Sequence, residues 1–415
     1  MRPDTRSVEG PAVLARPEPL RRELARALPE RPFGVRFWDG SELDPTLADG
    51  PVFTVRSPAA IAHLLRAPGQ LGLGRAYAAG ELEADDLDRV IGLLDSFHAP
   101  PIDRATRARL TLAAVRACGL TRPPRIPASE LRPRGRRHSR ERDERAVRHH
   151  YDVSNEFFAL FLDDSMTYSC ALFSRGAATL EEAQDAKREL VCAKLRLREG
   201  ERVLDVGCGW GSFVIHAARE HGVSALGVTL SPAQAELARR RVAEAGLEGR
   251  VEIRVCDYRD LASLGGERFD AIASIGMVEH VGSSQIDEYA GVLARLLEPG
   301  GRLLNHGIAR LRHGDAEAGP FSERYVFPDA APLHLSRIQL ALERAGFETD
   351  HVEGLRQDYV DTLSAWIDRL DANREAAERL AGGERLRVWR LYLRAARNGF
   401  RTGFTSIYQV LGHRS

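Results

Sequence analysis

From Thr179 onward, short apolar runs alternate with stretches of helical spacing. "TLEEAQDAKRELVCAKLRL" repeats its apolar residues every three to four positions, the period of an amphipathic helix. "ERVLDVG" reads as a short buried strand, "SFVIHAAREHG" returns to helical spacing, and "SALGVTL" is a second strand. Ser231 caps the next helix, with Pro232 in its first turn and Gly246 as its stop. Strands follow at "VEIRVCD" and "FDAIASIG"; the helix "IDEYAGVLARLL" ends at Pro299-Gly300-Gly301, and "GRLLNHGI" is the fifth strand. "FETDHVEGL" and "FTSIYQVLG" supply a sixth and a seventh. Strands alternating with helices predict an α/β fold, a parallel, doubly wound, Rossmann-like sheet of seven strands.

The pattern before this is less regular. Residues 1–121 mix strand-like pieces ("FGVRFWDG", "PVFTVRS") with helical ones ("SPAAIAHLLRA", "DLDRVIGLLDSF"), and Asp39-Gly40 between apolar runs signals a hairpin. A smaller α+β domain is expected there. Its helix at 104–120 has an arginine face and an apolar face, which fits docking onto its own domain or, as the sharper alternative, contact with a membrane surface. Residues 122–148, rich in Pro and Arg, read as a linker, because such a segment buries too little apolar area to fold alone. Its arginine excess suits an anionic lipid surface. The larger domain then runs over 149–415.

Composition narrows the classes. At 415 residues with 43% hydrophobic and 28% charged positions, two globular domains are expected. The 59 basic residues balance 59 acidic ones, so bulk charge does not favour nucleic acid as a partner. Only Lys187 and Lys194 among the basic residues are lysine. The cysteines at 118, 170, 192, 208 and 256 form no C-x-x-C pair, which suits a reducing cytoplasm and predicts no zinc site. "MRPDTRSVEG" has no apolar signal core, and no run is long enough to span a bilayer, so a cytoplasmic protein is expected.

Two local patterns carry chemistry. "LLNHGI" places Asn305 and His306 inside a strand otherwise fit for burial, where polar tips need partners. "VLDVGCGWGS", residues 203–212, sets Gly207, Gly209 and Gly211 between a strand and a helix, where small residues and the helix N-terminus admit a ligand. A dinucleotide fingerprint needs G-x-G-x-x-G, but here the third glycine comes one residue early and Asp205 lies within the motif. D-x-G-x-G-x-G resembles the first motif of S-adenosylmethionine (SAM) methyltransferases. Many of those enzymes carry an acid at the end of the second strand to hold the ribose. This chain has "GVTLSPAQ", leaving Thr229 and Gln234 to do so by neutral hydrogen bonds.

"HHYDVSNEFFALFLDDSMTYSCALF", "GVTLSPAQ", "CDYRDL", "SIGMVEHVG", "RYVFPD" and "DYVDTLSAW" together closely resemble the cyclopropane-fatty-acyl-phospholipid synthases, a family of SAM-dependent lipid methyltransferases. "QLGLGRAYAAGELEADDLDRVIGLL" resembles their smaller domain, so the likeness spans roughly 33–412. The resemblance implies methylene transfer from SAM to the cis double bond of an acyl chain in a membrane phospholipid, with bound bicarbonate as general base. It implies a bicarbonate set of Cys170, Glu279, His306, Ile308 and Tyr359. It further implies a SAM set of Tyr168, Ser169, Asp205, Gly207, Gly209, Gly211, Thr229, Leu230, Gln234, Asp257 and Tyr258. Peripheral association with the inner face of the membrane is implied, no nucleic acid, and a homodimer as the candidate assembly.

The implied chemistry is coherent. Methylation of an alkene leaves a carbocation, so the site must exclude water and offer aromatic faces or fixed dipoles. The proton acceptor must be a poor nucleophile, which favours a held oxyanion over a thiolate or an amine. His280 is read as structural, and Phe321, Tyr325 and Phe327 as candidate walls of an acyl pocket. Within the family, a methylene-branched product is the alternative. Outside it stand a catalytically inactive lipid-surface module, which Asp205, Glu279 and Tyr359 argue against, and a small-molecule or nucleic-acid methyltransferase. That last class needs a polar pocket or a basic face and no N-terminal domain.

Overall fold

The structure, a computed structural model, describes residues 16–47, 50–119, 123–132, 135, 136, 138–151, 153–261, 266–312 and 319–415; of 146–151 it gives the backbone only. Parts of the expected linker (122, 133, 134 and 137) lie outside the described residues. The chain forms two compact units, Met1–Ala128 and Ser129–Ser415.

In the first unit, β1 (Gly34–Arg36) and β2 (Glu42–Leu43) form the expected hairpin, with the Gly40 N–H donating to the Phe37 carbonyl at 2.9 Å. β1 also pairs in parallel with β3 (Val52–Val55), and β4 (Leu82–Ala84) closes the sheet antiparallel to β3. Parallel and antiparallel pairs in one sheet, covered by helices, make this the expected α+β unit. Helix Arg104–Cys118 docks through small residues, Ala113, Ala114, Ala117 and Cys118, on a core that includes Phe37, Val55 and Ile61. Leu112 and Val115 remain exposed beside Arg104, Arg107, Arg109 and Arg116.

The second unit carries seven strands: β5 (Arg202–Val206), β6 (Ser224–Thr229), β7 (Val251–Val255), β8 (Phe269–Ile275), β9 (Leu297–Arg310), β10 (Phe347–Gly354) and β11 (Thr405–Arg414). Their order is β10-β11-β9-β8-β5-β6-β7. β5 to β9 are mutually parallel, but the expectation of an all-parallel sheet is corrected at its end. β11 runs antiparallel to both β9 and β10 and lies between them. The helices Arg356–Ala372 and Arg374–Thr402 intervene between β10 and β11, giving the chain length to return from the opposite side.

The segment expected to be a linker is ordered against the larger unit over part of its length. Buried Ser129 donates its N–H to Glu384 Oε1 at 2.6 Å, and Tyr325 donates to buried Glu130 at 3.1 Å. Helix Arg140–Tyr151 follows, with Arg142 forked onto buried Asp329 at 2.5 and 2.6 Å. Charge pairing with the larger unit substitutes for the apolar burial that the segment lacks.

The helical side of the unit is filled by aromatic rings. Phe158 meets Trp210, Trp389 and Tyr168 at ring separations of 5.1, 5.2 and 5.4 Å, and Tyr168 stacks on Trp366 at 5.1 Å. This cluster fixes the Tyr168–Cys170 segment. Phe158→Ala is therefore expected to cost about 3–5 kcal/mol. A lowered midpoint for the second unit in urea unfolding would register it.

Candidate active site

Ligands of open α/β sheets bind beyond the carboxyl ends of the strands, where the strand order reverses. Here that point lies between β5 and β8. All the residues expected at the cofactor except Gly211 line one cavity there. Gly211 instead starts helix Ser212–His221, and a Cβ on it would meet Ala238 at 3.3 Å, so its part is close packing of two helices. The loop's backbone is pinned from behind: the Gly207 and Cys208 N–H groups both donate to the Val228 carbonyl, at 3.0 and 2.9 Å.

The polar lining is prearranged. Thr229 donates to Gln234 Oε1 at 2.8 Å, which leaves the Gln234 amide N–H groups as donors, and Ser231 caps the Gln234 N–H at 3.3 Å. Asp257 is forked onto Arg259 at 2.8 and 2.5 Å, and Arg259 also reaches Asp143 at 3.1 Å. Asp205 is buried, and its Oδ1 has no hydrogen-bond partner. Burial raises its pKa to about 7, moderated by the Lys187 ammonium. An orphaned carboxylate oxygen at the cavity wall fits a ligand that brings a cation, as the ammonium of SAM does.

Lys187 escaped the sequence-based reading. It is fully buried at the cavity wall and donates to Ser169 Oγ at 2.9 Å, and burial lowers its pKa to about 8. Gln184, one turn earlier, donates to the Ser169 carbonyl at 2.8 Å. A signal for them was present, since the chain uses arginine almost everywhere and both lysines sit seven residues apart on one helix. His280, expected to be structural, also lines the cavity, with burial holding its pKa down at about 4. Phe321 and Tyr325 stack on each other at 4.8 Å and lie outside this lining. Phe327 stands against His280 at 5.4 Å.

The second expected set lies outside the cavity lining, and His306 adjoins that lining at Gly276. The Gly276 N–H donates to the His306 carbonyl at 2.8 Å, tying the two together. The Ile308 backbone N–H is among the groups that favour the charged form of the buried Glu279 carboxyl, whose Oε2 has no hydrogen-bond partner. Burial lifts Glu279 to about 7. Gly307 permits this approach, because a Cβ there would lie 2.1 Å from Val278 Cγ1 and 3.2 Å from Glu279 Oε2. His306 is wholly buried, accepts at Nδ1 from Gln409 at 3.0 Å, and leaves Nε2 without a partner. Burial first, then the charges of Lys187 and Lys194, lower its pKa to about 3. The imidazole is therefore neutral.

Cys170 and Tyr359 meet at Leu355. The Leu355 carbonyl accepts the Cys170 thiol at 3.7 Å and the Tyr359 N–H at 3.1 Å, and the Tyr359 ring packs on Phe400 at 4.5 Å. Burial pushes the Cys170 thiol far up, so it stays protonated and is not alkylated by an electrophilic methyl donor. Leu355 in turn donates to the Ile407 carbonyl, and Ile407 faces Ile308 across β11 and β9. The five residues thus sit on connected elements. The orphaned acceptor at Glu279 and the orphaned donor at His306 fit a small oxyanion with one hydroxyl, such as bicarbonate.

Elsewhere, Cys192, His216 and His221 gather within 4.8 Å, yet both imidazoles already donate to Glu189 Oε2, at 3.3 and 3.0 Å. These bonds account for the cluster without an ion.

Residues 138–410 match the mycolic acid cyclopropane synthetase family. A Mycobacterium tuberculosis protein described as "Probable fatty acid methyltransferase" is 39% identical over 403 residues, covering 94% of this chain and 92% of its own. The cyclopropane-fatty-acyl-phospholipid synthase of Escherichia coli K12 is 34% identical over 346 residues, 83% of each chain. The solved structure of mycolic acid cyclopropane synthase CmaA1 with SAH and CTAB superposes with a TM-score of 0.61 at 32% identity, covering 65% of this chain and 98% of that one. The chain belongs to the mycolic acid cyclopropane synthetase family of SAM-dependent lipid methyltransferases.

Proposed function

We propose that the protein transfers a methylene unit from SAM to the cis double bond of an unsaturated phospholipid acyl chain and closes a cyclopropane ring. The observation that carries this reading is that Glu279 Oε2 and His306 Nε2 are both buried without a hydrogen-bond partner, on segments next to cavity-lining residues Gly276 and His280. Bound SAM supplies an electrophilic methyl group, and bound bicarbonate supplies a weakly nucleophilic base. Asp205 and Gln234 hold and orient the donor. Glu279, His306 and Tyr359 would hold that anion, Glu279 as the acceptor that would raise its basicity and His306 Nε2–H and the Tyr359 hydroxyl as donors. The aromatic cluster around Phe158 and Tyr168 keeps water from a cationic chain.

A second outcome is a methylene-branched chain, formed when a hydride shift precedes deprotonation, and similarity to a protein described as a fatty acid methyltransferase is compatible with either product. Both products add one CH₂, so mass does not distinguish them. Purified enzyme given SAM and vesicles of an unsaturated phospholipid is expected to yield upfield ring-methylene signals in proton NMR. Exocyclic =CH₂ signals, distinct from the internal vinylic protons of the substrate, with ozone releasing formaldehyde from the product, would replace the ring reading with the branched one.

The substrate places the enzyme at a membrane surface. No helix among the described residues is long and apolar enough to cross one. Helix Arg104–Cys118, with exposed Leu112 and Val115 among arginines, supports peripheral contact with anionic lipid on the cytoplasmic side. Vesicle binding should weaken with salt, as screening shortens to about 10 Å at 0.1 M. Binding indifferent to both salt and lipid charge would refute it.

A further inference from the structure

We propose that Lys194 and Gln409 are positioning residues that hold His306 as the neutral tautomer with its proton on Nε2. The proposal rests on the reading of His306 as a donor to a bound anion. Lysine carries donors only, and Lys194 Nζ lies 2.6 Å from Gln409 Oε1 and 2.5 Å from Glu353 Oε2. That contact turns the Gln409 oxygen toward Lys194 and its NH₂ toward His306 Nδ1, 3.0 Å away. Amide and imidazole orientations are thus set by a chain of donors and acceptors that closes in one way only. An NH₂ group cannot accept, so Nδ1 must present its lone pair. The single proton of a neutral ring then sits on Nε2, the atom without a protein partner.

The strand arrangement builds this relay. His306 on β9 pairs with Gln409 on β11, and Gln409 pairs with Glu353 on β10, so the three stand abreast on neighbouring strands. Lys194 comes from the last turn of helix Leu180–Leu195 and lands between Glu353 and Gln409. Arg175 also reaches Glu353, at 3.2 Å. Gln409 and His306 are both wholly buried, so no water competes for these bonds.

The arrangement excludes two failures. The other tautomer would aim a lone pair at an anion. An imidazolium would set Nδ1–H against the Gln409 NH₂, and beside a bound base it would surrender the proton that neutralises that base. A neutral, fixed Nε2–H donates a hydrogen bond and keeps its proton.

Nitrogen NMR of the full chain labelled with ¹⁵N-histidine, with His306 identified by its loss in His306→Gln, reads the tautomer without substrate or activity. The wild type is expected to show a neutral Nε2–H ring throughout the pH range in which a free imidazole titrates. Gln409→Glu, nearly isosteric, should place the proton on Nδ1 or charge the ring, because a carboxylate accepts there. Lys194→Met should give a mixture, since the amide is then free to turn. In both variants kcat should fall, on the order of 10- to 100-fold by analogy with lost outer partners of metal-bound histidines. The KM for SAM should be unchanged, and Gln409→Glu should gain a new limb in its pH–rate profile. A wild-type ring protonated on Nδ1, or a tautomer that ignores both substitutions, overturns the relay. A tautomer that shifts while turnover stays constant shows instead that His306 does not donate to a catalytic anion, which removes the functional reading and with it the positioning role.

Discussion

Replacing Glu279 with glutamine is expected to lower turnover by about 10² to 10⁴, the range typical of losing a group that manages a proton in the transition state. SAM affinity should hardly change. The amide has the shape of the carboxyl group and keeps one acceptor oxygen, but without charge it no longer strengthens a base hydrogen-bonded to it. The pH dependence gives the sharper test. Burial lifts the Glu279 pKa to about 7, so the side chain is protonated below that pH and carboxylate above it. Activity of the wild type should rise through that region, and the limb should be absent from Glu279→Gln. Stability moves the other way. With a folded pKa above the unfolded one, the native state retains a proton that the unfolded chain releases, and stability falls as pH rises toward about 7. Above that window Glu279→Gln should unfold at a temperature no lower than the wild type. A variant that is both unstable and inactive there would point to a structural role. Rigorous depletion of bicarbonate should mimic the variant and be reversed on adding it back.

Gly209→Val is expected to abolish measurable SAM binding while leaving the sheet folded. Gly209 has a φ of 52°, in the left-handed region, where a residue with a Cβ costs roughly 1–2 kcal/mol and a β-branched one more. A Cβ at this position meets no protein atom within 4 Å. The cost of the added Cβ is therefore backbone strain and not contact with neighbouring residues, and Gly209 lies on the cavity lining, where valine branches compete with a ligand. Calorimetry should show no heat of SAM binding, with far-ultraviolet circular dichroism unaltered. Undiminished affinity in the folded variant would remove the glycine loop from the cofactor site.

The parts of this protein that obey a local period were legible in its sequence. The strands ending at Val206, Thr229 and Ile275, the helix capped by Ser231 and the glycine loop all follow from apolar spacing and turn chemistry. Direction was not legible. β10 and β11 look like any other apolar strands, and nothing in their residues says that β11 arrives antiparallel and inserts beside β9. The same limit hid the relay, because Gln409 acquires meaning only through its strand partner 103 residues earlier. The segment after Ser129 was misjudged for another reason. Arg142 and Asp329 are each unremarkable along the chain and become a buried ion pair only when the fold joins them. The two lysines were the clearest unused clue. Lys187 is buried and Lys194 half-buried, each against polar partners.

The placement of β11 between β9 and β10 has a consequence for synthesis on the ribosome. β9 is translated long before the strand that covers its outer edge, and roughly 90 residues separate Arg310 from Thr405. At about 5–20 residues per second, that edge waits on the order of 5–20 s with its N–H and C=O groups unpaired. β10 waits beside it with the same need. During that interval the nascent chain presents two open edges that want one strand, the condition under which chains pair with each other instead. The two helices translated in the meantime carry Trp366 and Trp389 into the aromatic cluster, so folding of that layer can proceed while the gap stays open. The contact between His306 and Gln409 is then among the last to form, and a chain stalled short of β11 holds a cavity lined by β5, β6 and their loops while His306 still lacks its partner.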